Sequence, residues 1–201
     1  DLTVDYNSIK TLVDHVIDGG VSYIVVQGTT GESSTLSEEE KIKTRSNFLS
    51  ANNGRVPMVL GLGGNDTDYL VKKLRESDFD GFSALLSVVP YYNKPSQNGL
   101  FKHFSQIVNF SKLPIILYNV PGRTGCNLEP ETTIKLANSF KNIIGIKEAN
   151  PDVNQIKKLI TNRPKNFLII SGDDETAPNS IINGADGVIS VAANAIPKKF
   201  V

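Results

Sequence analysis

Apolar residues along this chain recur with two periods that alternate. Ile9, Leu12, Val13, Val16 and Ile17 fall at the spacing that turns one helix face toward a core, and Gly19–Gly20 end that run. The next apolar run, Tyr23 to Val26, is short, rich in β-branched residues and closed by a glycine-bearing turn, which predicts a strand. Ser37 and Glu40 have the spacing of a capping box and predict a helix from there to about Ser50. The alternation continues with a strand over Val56–Leu60, a helix through Leu70, Val71 and Leu74, and a strand over Phe82–Val89. A helix through Phe101, Phe104, Ile107 and Val108 precedes a strand at Pro114–Tyr118, and a helix through Ile134, Leu136 and Ala137 precedes a strand at Ile143–Lys147. Asn150–Pro151 predicts a cap and first position for a helix reaching Ile160. Strand Phe167–Ile170, a short helix Ala177–Ile182 and strand Gly187–Ala192 complete the pattern.

Seven strands, each preceded by a helix, suit either a doubly wound sheet or a closed barrel. A dinucleotide-binding sheet requires G-x-G-x-x-G between its first strand and helix, and GLGGN at residues 61–65 is too loose to serve. Polar and glycine residues gather instead after nearly every strand, as GTTGES, GLGGN, PYYNKPS, YNVPGRTG, KEAN and SGDD. A barrel carries its chemistry on that rim. The expectation is an α/β chain forming a (β/α)8 TIM barrel that lacks its first strand, with residues 1–201 as a single catalytic domain incomplete at both ends.

Composition narrows the function classes. Lysine plus arginine (21) equals aspartate plus glutamate (21), so net charge gives no reason to expect a nucleic-acid partner. Cys126 is the single cysteine, which excludes an intrachain disulfide. The opening DLTVDYNSIK lacks the features of a signal peptide, and no apolar run reaches the roughly 18 residues of a membrane helix. The expected location is the cytoplasm, without membrane attachment. His15 and His103 fall within helix-period segments, and zinc-type ligand spacing is absent. Asp173–Asp174 follow a strand and are read as loop and capping residues rather than cation ligands.

Four places invite chemistry. Lys147 closes Ile143-Ile144-Gly145-Ile146 and shares strand parity with Gly145 and Ile143. On a barrel-lining face, burial favours its neutral amine, the form that attacks a carbonyl to give an imine, and Gly145 beneath it leaves room for a substrate. The competing reading is a strand-end lysine paired with Glu148 or reaching to water. Tyr118 closes another strand and offers a phenol for proton transfer, or is an interior tyrosine whose hydroxyl simply reaches the wet rim. Thr29 and Thr30, in a glycine-flanked turn before a helix, suit a carboxylate cradle or a merely polar loop. Arg123 is a fork donor suited to a second carboxylate, or a surface ion-pair partner.

Taken together, YNVPGRTG and GIKEA, with GTTGES and PYYNKPS before them and SGDD and GVISV after them, resemble the dihydrodipicolinate synthase family. That family sits in the N-acetylneuraminate lyase superfamily of pyruvate-dependent class I aldolases, and the similarity spans nearly the whole chain. The resemblance implies condensation of pyruvate with L-aspartate-4-semialdehyde to 4-hydroxy-tetrahydrodipicolinate, in lysine and diaminopimelate biosynthesis, with no metal or organic cofactor. It implies Lys147 as the Schiff-base lysine, Tyr118 as the proton-relay tyrosine and Thr29 as the residue that links the relay onward. Tyr92 matches a second relay tyrosine inserted by a neighbouring subunit, within a tetramer built from dimers. Thr30 matches the residue gripping the pyruvate carboxylate, and Arg123 the one receiving the aldehyde's carboxylate. Gly172 and Ile189 match residues lining the pocket near the lysine.

The chain also departs from the family. The family's opening strand and its C-terminal helical domain are not represented, so these residues are expected to be part of a longer protein, and ANPDV, residues 149–153, is a few residues shorter than the usual segment after KEA. The family's lysine-inhibition site, in its histidine-bearing form, is matched here by Glu38, Lys41 and Tyr69, with Ser33, Asn65 and Tyr91 retained. Lys41 adds a like charge and a carboxylate at 69 is gone, so weak or absent inhibition by L-lysine is expected. Two alternatives differ in kind: a sister aldolase such as N-acetylneuraminate lyase, disfavoured by Arg123–Thr124 and Lys147–Glu148–Ala149, and a non-catalytic barrel that binds a keto acid. The second has no use for a proton relay.

Overall fold

Several of the helices begin where a side chain is available to receive their first N–H groups. In the computed structural model, which describes residues 3–201, Ser37 and Glu40 form the expected capping box and open α2 (Glu38–Asn52). Asp66 caps α3 (Thr67–Glu76) through the Tyr69 N–H, and Ser96 caps α4 (Gln97–Phe110) through the Gly99 N–H. Each such side chain satisfies a donor that the helix itself leaves open. Nine helices and seven strands occupy the described residues: α1 (Ser8–Asp18), β1 (Ile24–Val26), α2, β2 (Met58–Gly61), α3, β3 (Ala84–Val88), α4, β4 (Ile115–Asn119), α5 (Pro121–Thr124), α6 (Pro130–Ser139), β5 (Ile143–Glu148), α7 (Val153–Asn162), β6 (Leu168–Ser171), α8 (Ala177–Ile182), β7 (Gly187–Val188) and α9 (Pro197–Phe200).

The strands are parallel and their order in the sheet is their order in the chain. A doubly wound sheet reverses direction at a switch point; strictly sequential order with a helix between strands is the α/β barrel arrangement. The chain divides into two compact units. The first comprises Asp1–Gly61, Phe79–Ser83 and Ser190–Val201. In it β1 pairs with β2, Ile24 opposite Met58 and Val26 opposite Leu60, while Ile9, Val13 and Val16 form the buried face of α1. The Asn52 side chain donates to the Val56 carbonyl at 2.8 Å and accepts from the Val56 N–H, fastening the end of α2 to the entry of β2.

The second unit comprises Leu62–Asp78 and Ala84–Ile189, and holds β3 to β7. Its strands are apolar nearly throughout because helices cover them, as parallel strands require. Leu117, Ile146 and Ile169 are fully buried on adjacent strands, each contributing about 1.5–3 kcal/mol by leaving water. Arg163 at the end of α7 pairs with Asp186, whose carboxylate also accepts the Ile169 N–H, so the entries of β6 and β7 are tied together.

Two local expectations are corrected. Asn150–Pro151 do not open α7; Asp152 is its cap, accepting the Asn154 N–H at 2.9 Å, and the Asn150 side chain accepts the Asp152 N–H just before it. The last strand ends at Val188 rather than running to Ala192, and residues Ala192–Asn194 form a 3-10 turn. Within YNVPGRTG, Pro121 supplies the first position of the short helix α5, which Gly125 ends in the left-handed region at φ 66°. Among the described residues no helix is long and apolar enough to cross a membrane.

Candidate active site

Strands β4 and β5 bring Tyr118 and Lys147 together as register partners, with Asn119 and Glu148 paired one step further along. Tyr118 and Lys147 are 5% and 8% exposed, and the Lys147 Nζ lies 4.4 Å from the centre of the Tyr118 ring. Burial among these strand ends lowers the amine from its ordinary 10.5 to about 8; Asp174 opposes that shift and the Arg123 guanidinium assists it. A lysine so placed is neutral far more often near physiological pH than an ordinary lysine, and the neutral amine is the carbonyl nucleophile. The aromatic face meanwhile receives the charged form when it is present.

Lys147 does not pair with Glu148. Successive side chains on a strand point to opposite faces, and Glu148 turns into a separate polar cluster. Its carboxylate, 2% exposed, accepts the Asn119 amide at 2.9 and 3.1 Å, the Gln155 amide at 2.9 Å and the Asn150 N–H at 2.8 Å. Burial lifts this carboxyl to about 7, while the bonds from Gln155, Asn150 and Asn119 pull it down. The shortened segment after Lys147 is thus anchored by its own asparagine. The sequence reading missed this cluster; the signal lay in Glu148 alternating with Lys147 and in the amides at 119, 127, 150 and 155.

Gly145 has a different purpose from the one expected. A Cβ there would sit 2.7 Å from the Leu168 carbonyl oxygen and 2.8 Å from the Leu168 Cβ, so the glycine permits close approach of β6 rather than opening a substrate space. A register shift between Ile115 and Ile116 against β5 also takes Ile143 out of the alternation that Gly145 and Lys147 share. Gly172 is the glycine that makes room: a Cβ there would lie 2.7 Å from the Lys147 Cε and 2.9 Å from its Cγ. Its N–H donates to the Glu148 carbonyl at 2.7 Å, fixing it beside the lysine stem. Ile189, half-buried, follows β7 and donates its N–H to the Ser171 carbonyl at 2.9 Å.

Arg123 stands exposed on α5, near enough to Lys147 to influence its charge, and its helix is stapled by the Thr124 hydroxyl against the Val120 and Cys126 carbonyls. Asp173 caps the Thr176 N–H and hydroxyl at 3.0 and 2.8 Å, as a loop residue would. His103 is a packing residue: its Nδ1 lies 2.8 Å from the Thr67 hydroxyl, and burial lowers its pKa to about 4. His15 is exposed in the last turn of α1.

Tyr92 is placed differently. It is 88% exposed and carries a positive φ of 74°, in a loop braced by the Asn65 amide on the Tyr91 carbonyl and by the Asn93 amide on the Asn65 carbonyl, both at 3.1 Å. Thr29 and Thr30 belong to the first unit, exposed on a 3-10 turn of Thr29–Gly31 that follows β1.

The profile of the Dihydrodipicolinate synthetase family matches residues 1–201. The chain belongs to that family. Membership makes it an enzyme of the class I aldolase type. It is 54% identical over 200 residues to the 4-hydroxy-tetrahydrodipicolinate synthase of Flavobacterium psychrophilum, covering all of this chain and 68% of the relative. The crystal structure of dihydrodipicolinate synthase from Thermotoga maritima superposes with a TM-score of 0.95 at 41% identity, over 98% of this chain and 68% of that one. A chloride-inhibited dihydrodipicolinate synthase from Acinetobacter baumannii, complexed with pyruvate, superposes with a TM-score of 0.93 at 44% identity, over 98% of this chain and 67% of that one.

Proposed function

We propose that the chain condenses pyruvate with L-aspartate-4-semialdehyde through an imine on Lys147, acting over residues 1–201 as one catalytic barrel domain. The observation that carries this reading is the buried lysine of lowered pKa against the Tyr118 ring at the C-terminal ends of two paired strands. The neutral Lys147 amine attacks the pyruvate C2 carbonyl, and the carbinolamine loses water to give an imine. Loss of a methyl proton gives an enamine, whose carbon bonds to the semialdehyde carbonyl carbon while that oxygen takes up a proton. The amino group of the added piece then attacks the imine carbon, closes the ring and releases Lys147.

Tyr118 is the proton carrier in this scheme, with Thr29 extending the relay and Thr30 receiving the pyruvate carboxylate. Arg123, exposed beside the lysine, takes the aldehyde's carboxylate; Gly172 and Ile189 line the site. The positive charge of Arg123 serves both tasks, drawing an anionic substrate and disfavouring the ammonium of Lys147. Tyr92 completes the site of a second copy of the chain in a homotetramer built from dimers, and the expected setting is the cytoplasm.

Borohydride reduction in the presence of pyruvate, followed by peptide mass measurement, tests the reading. One reduced pyruvyl adduct on Lys147 is expected. Absence of an adduct removes the whole class of lysine-imine mechanisms.

A further inference from the structure

The polar cluster behind the lysine has a design that the proposed chemistry does not itself use. Its members satisfy one another's donors and acceptors. Asn119 accepts the Leu128 N–H at 2.9 Å and donates to Glu148 and to the Asn127 side-chain oxygen. That Asn127 oxygen also receives the Asn150 and Gln155 amides, at 3.2 and 3.1 Å, and the Asn127 amide donates to the Gln155 oxygen at 2.9 Å. Every group facing the Glu148 carboxylate is a donor. A protonated Glu148 has a hydroxyl hydrogen to place, and the nearby acceptors, the oxygens of Asn127 and Gln155, already receive two or more bonds each. The donors of the cage therefore favour the anion, against the burial that raises this carboxyl to about 7.

Its position on the strands gives the cage leverage. Tyr118 and Asn119 are consecutive on β4, as Lys147 and Glu148 are on β5, and both pairs are register partners. The Asn119–Glu148 link thus fixes, from one face, the two strand ends whose other face carries Tyr118 and Lys147. The Leu128 N–H on Asn119 extends the hold to the segment after α5, which carries Arg123, and Gln155 extends it to the first turns of α7.

We propose that Glu148 is a positioning residue: as the buried acceptor of this amide cage, it sets the Tyr118–Lys147 geometry for catalysis. The inference rests on the imine reading of Lys147. In Glu148→Gln the side chain keeps its size, but its new amide must face a fixed donor, either the Asn150 N–H or the Gln155 amide. A misplacement of the reacting groups by a fraction of an ångström to an ångström lowers rate by up to about 10²-fold. The expected result is a fall in kcat of that order with little change in KM for pyruvate, the signature of a lost transition-state interaction.

The deciding measurement is a double-mutant cycle on kcat between Glu148→Gln and Tyr118→Phe, with borohydride trapping on the wild type run alongside. If Glu148 acts by placing Tyr118 against Lys147, its substitution costs little once the phenol is gone; non-additivity of this kind marks coupled groups. Should E148Q fail to fold, Gln155→Met, which removes one donor from the cage, gives the same readout. Trapped wild type together with unchanged kcat in the cage variant, or with losses that simply multiply, overturns the positioning role and leaves the imine reading standing. A wild type that is not trapped on Lys147 overturns both.

Discussion

Two tyrosines of the second unit, Tyr118 and Tyr92, stand in opposite circumstances. Tyr118 is buried at a strand end, in register with Lys147 and backed by a cage in which each polar group has a partner. Tyr92 is almost wholly in water, at a positive φ that costs a non-glycine residue roughly 1–3 kcal/mol. The first arrangement is completed by the chain's own packing. The second holds a costly backbone conformation and an exposed aromatic ring, in a loop braced by the Asn65 and Asn93 amides. Strain kept in place by rigid support points to a task outside the fold that bears it.

The most damaging way to break the buried half of this contrast is Lys147→Ala. It should abolish both the borohydride adduct and turnover in the purified protein; turnover near wild type sinks the mechanism. The exposed half is sharpened by Tyr92→Phe, which should lower kcat by roughly 10²-fold, the usual worth of a positioned proton carrier, while leaving pyruvate trapping intact. Exchange of Tyr92 between copies, as proposed, predicts an active unit of at least two copies. A fully active monomer, measured by sedimentation equilibrium at assay concentration, would falsify the exchange of Tyr92.

Arg123→Ala tests the boundary between the two regions. Losing a charge-assisted fork should raise KM for the semialdehyde roughly 10- to 100-fold, with adduct formation from pyruvate preserved. Loss of trapping instead would mean that the two carboxylate assignments are reversed.

Lys147→Met asks what burying the amine costs. A folded-state pKa of about 8 against an ordinary 10.5 means that the unfolded chain holds this proton more tightly. The penalty is fully present below pH 8 and disappears as pH rises toward 10.5. The methionine variant should therefore be more stable than wild type by about 3 kcal/mol at pH 7, with the gap closing above pH 8. Denaturant titrations at pH 7 and 10 check this; a variant no more stable at pH 7 would mean that the amine is well solvated.

The smallest effect concerns L-lysine. Glu38 and Lys41 form an ion pair at 3.2 Å, so the carboxylate nearest a ligand ammonium's side already has a cation. Inhibition is expected to be weak or absent. Half-inhibition below about 1 mM, near 4 kcal/mol of binding, would overturn that expectation.

Much of this was written in local pattern. Alternating periods located the helices and strands, the Ser37–Glu40 spacing named a cap that forms, and glycine and polar residues after the strands marked the rim. The identity of Lys147, Tyr118 and Arg123 as candidates needed only their positions at strand ends and after them, where side chains are forced toward one face or the other. What the sequence could not decide was any matter of distance between segments. Gly145 and Gly172 look alike in the chain, yet one admits a neighbouring backbone and the other admits the lysine stem. The capping of α7 passed from Asn150 to Asp152 because Asn150 is held to Glu148. Burial lowered the lysine's pKa, and a cage assembled from residues 119 to 155 surrounds the next carboxyl on the strand with donors. Such effects depend on which groups exclude water from one another, and only the packed tertiary structure sets that.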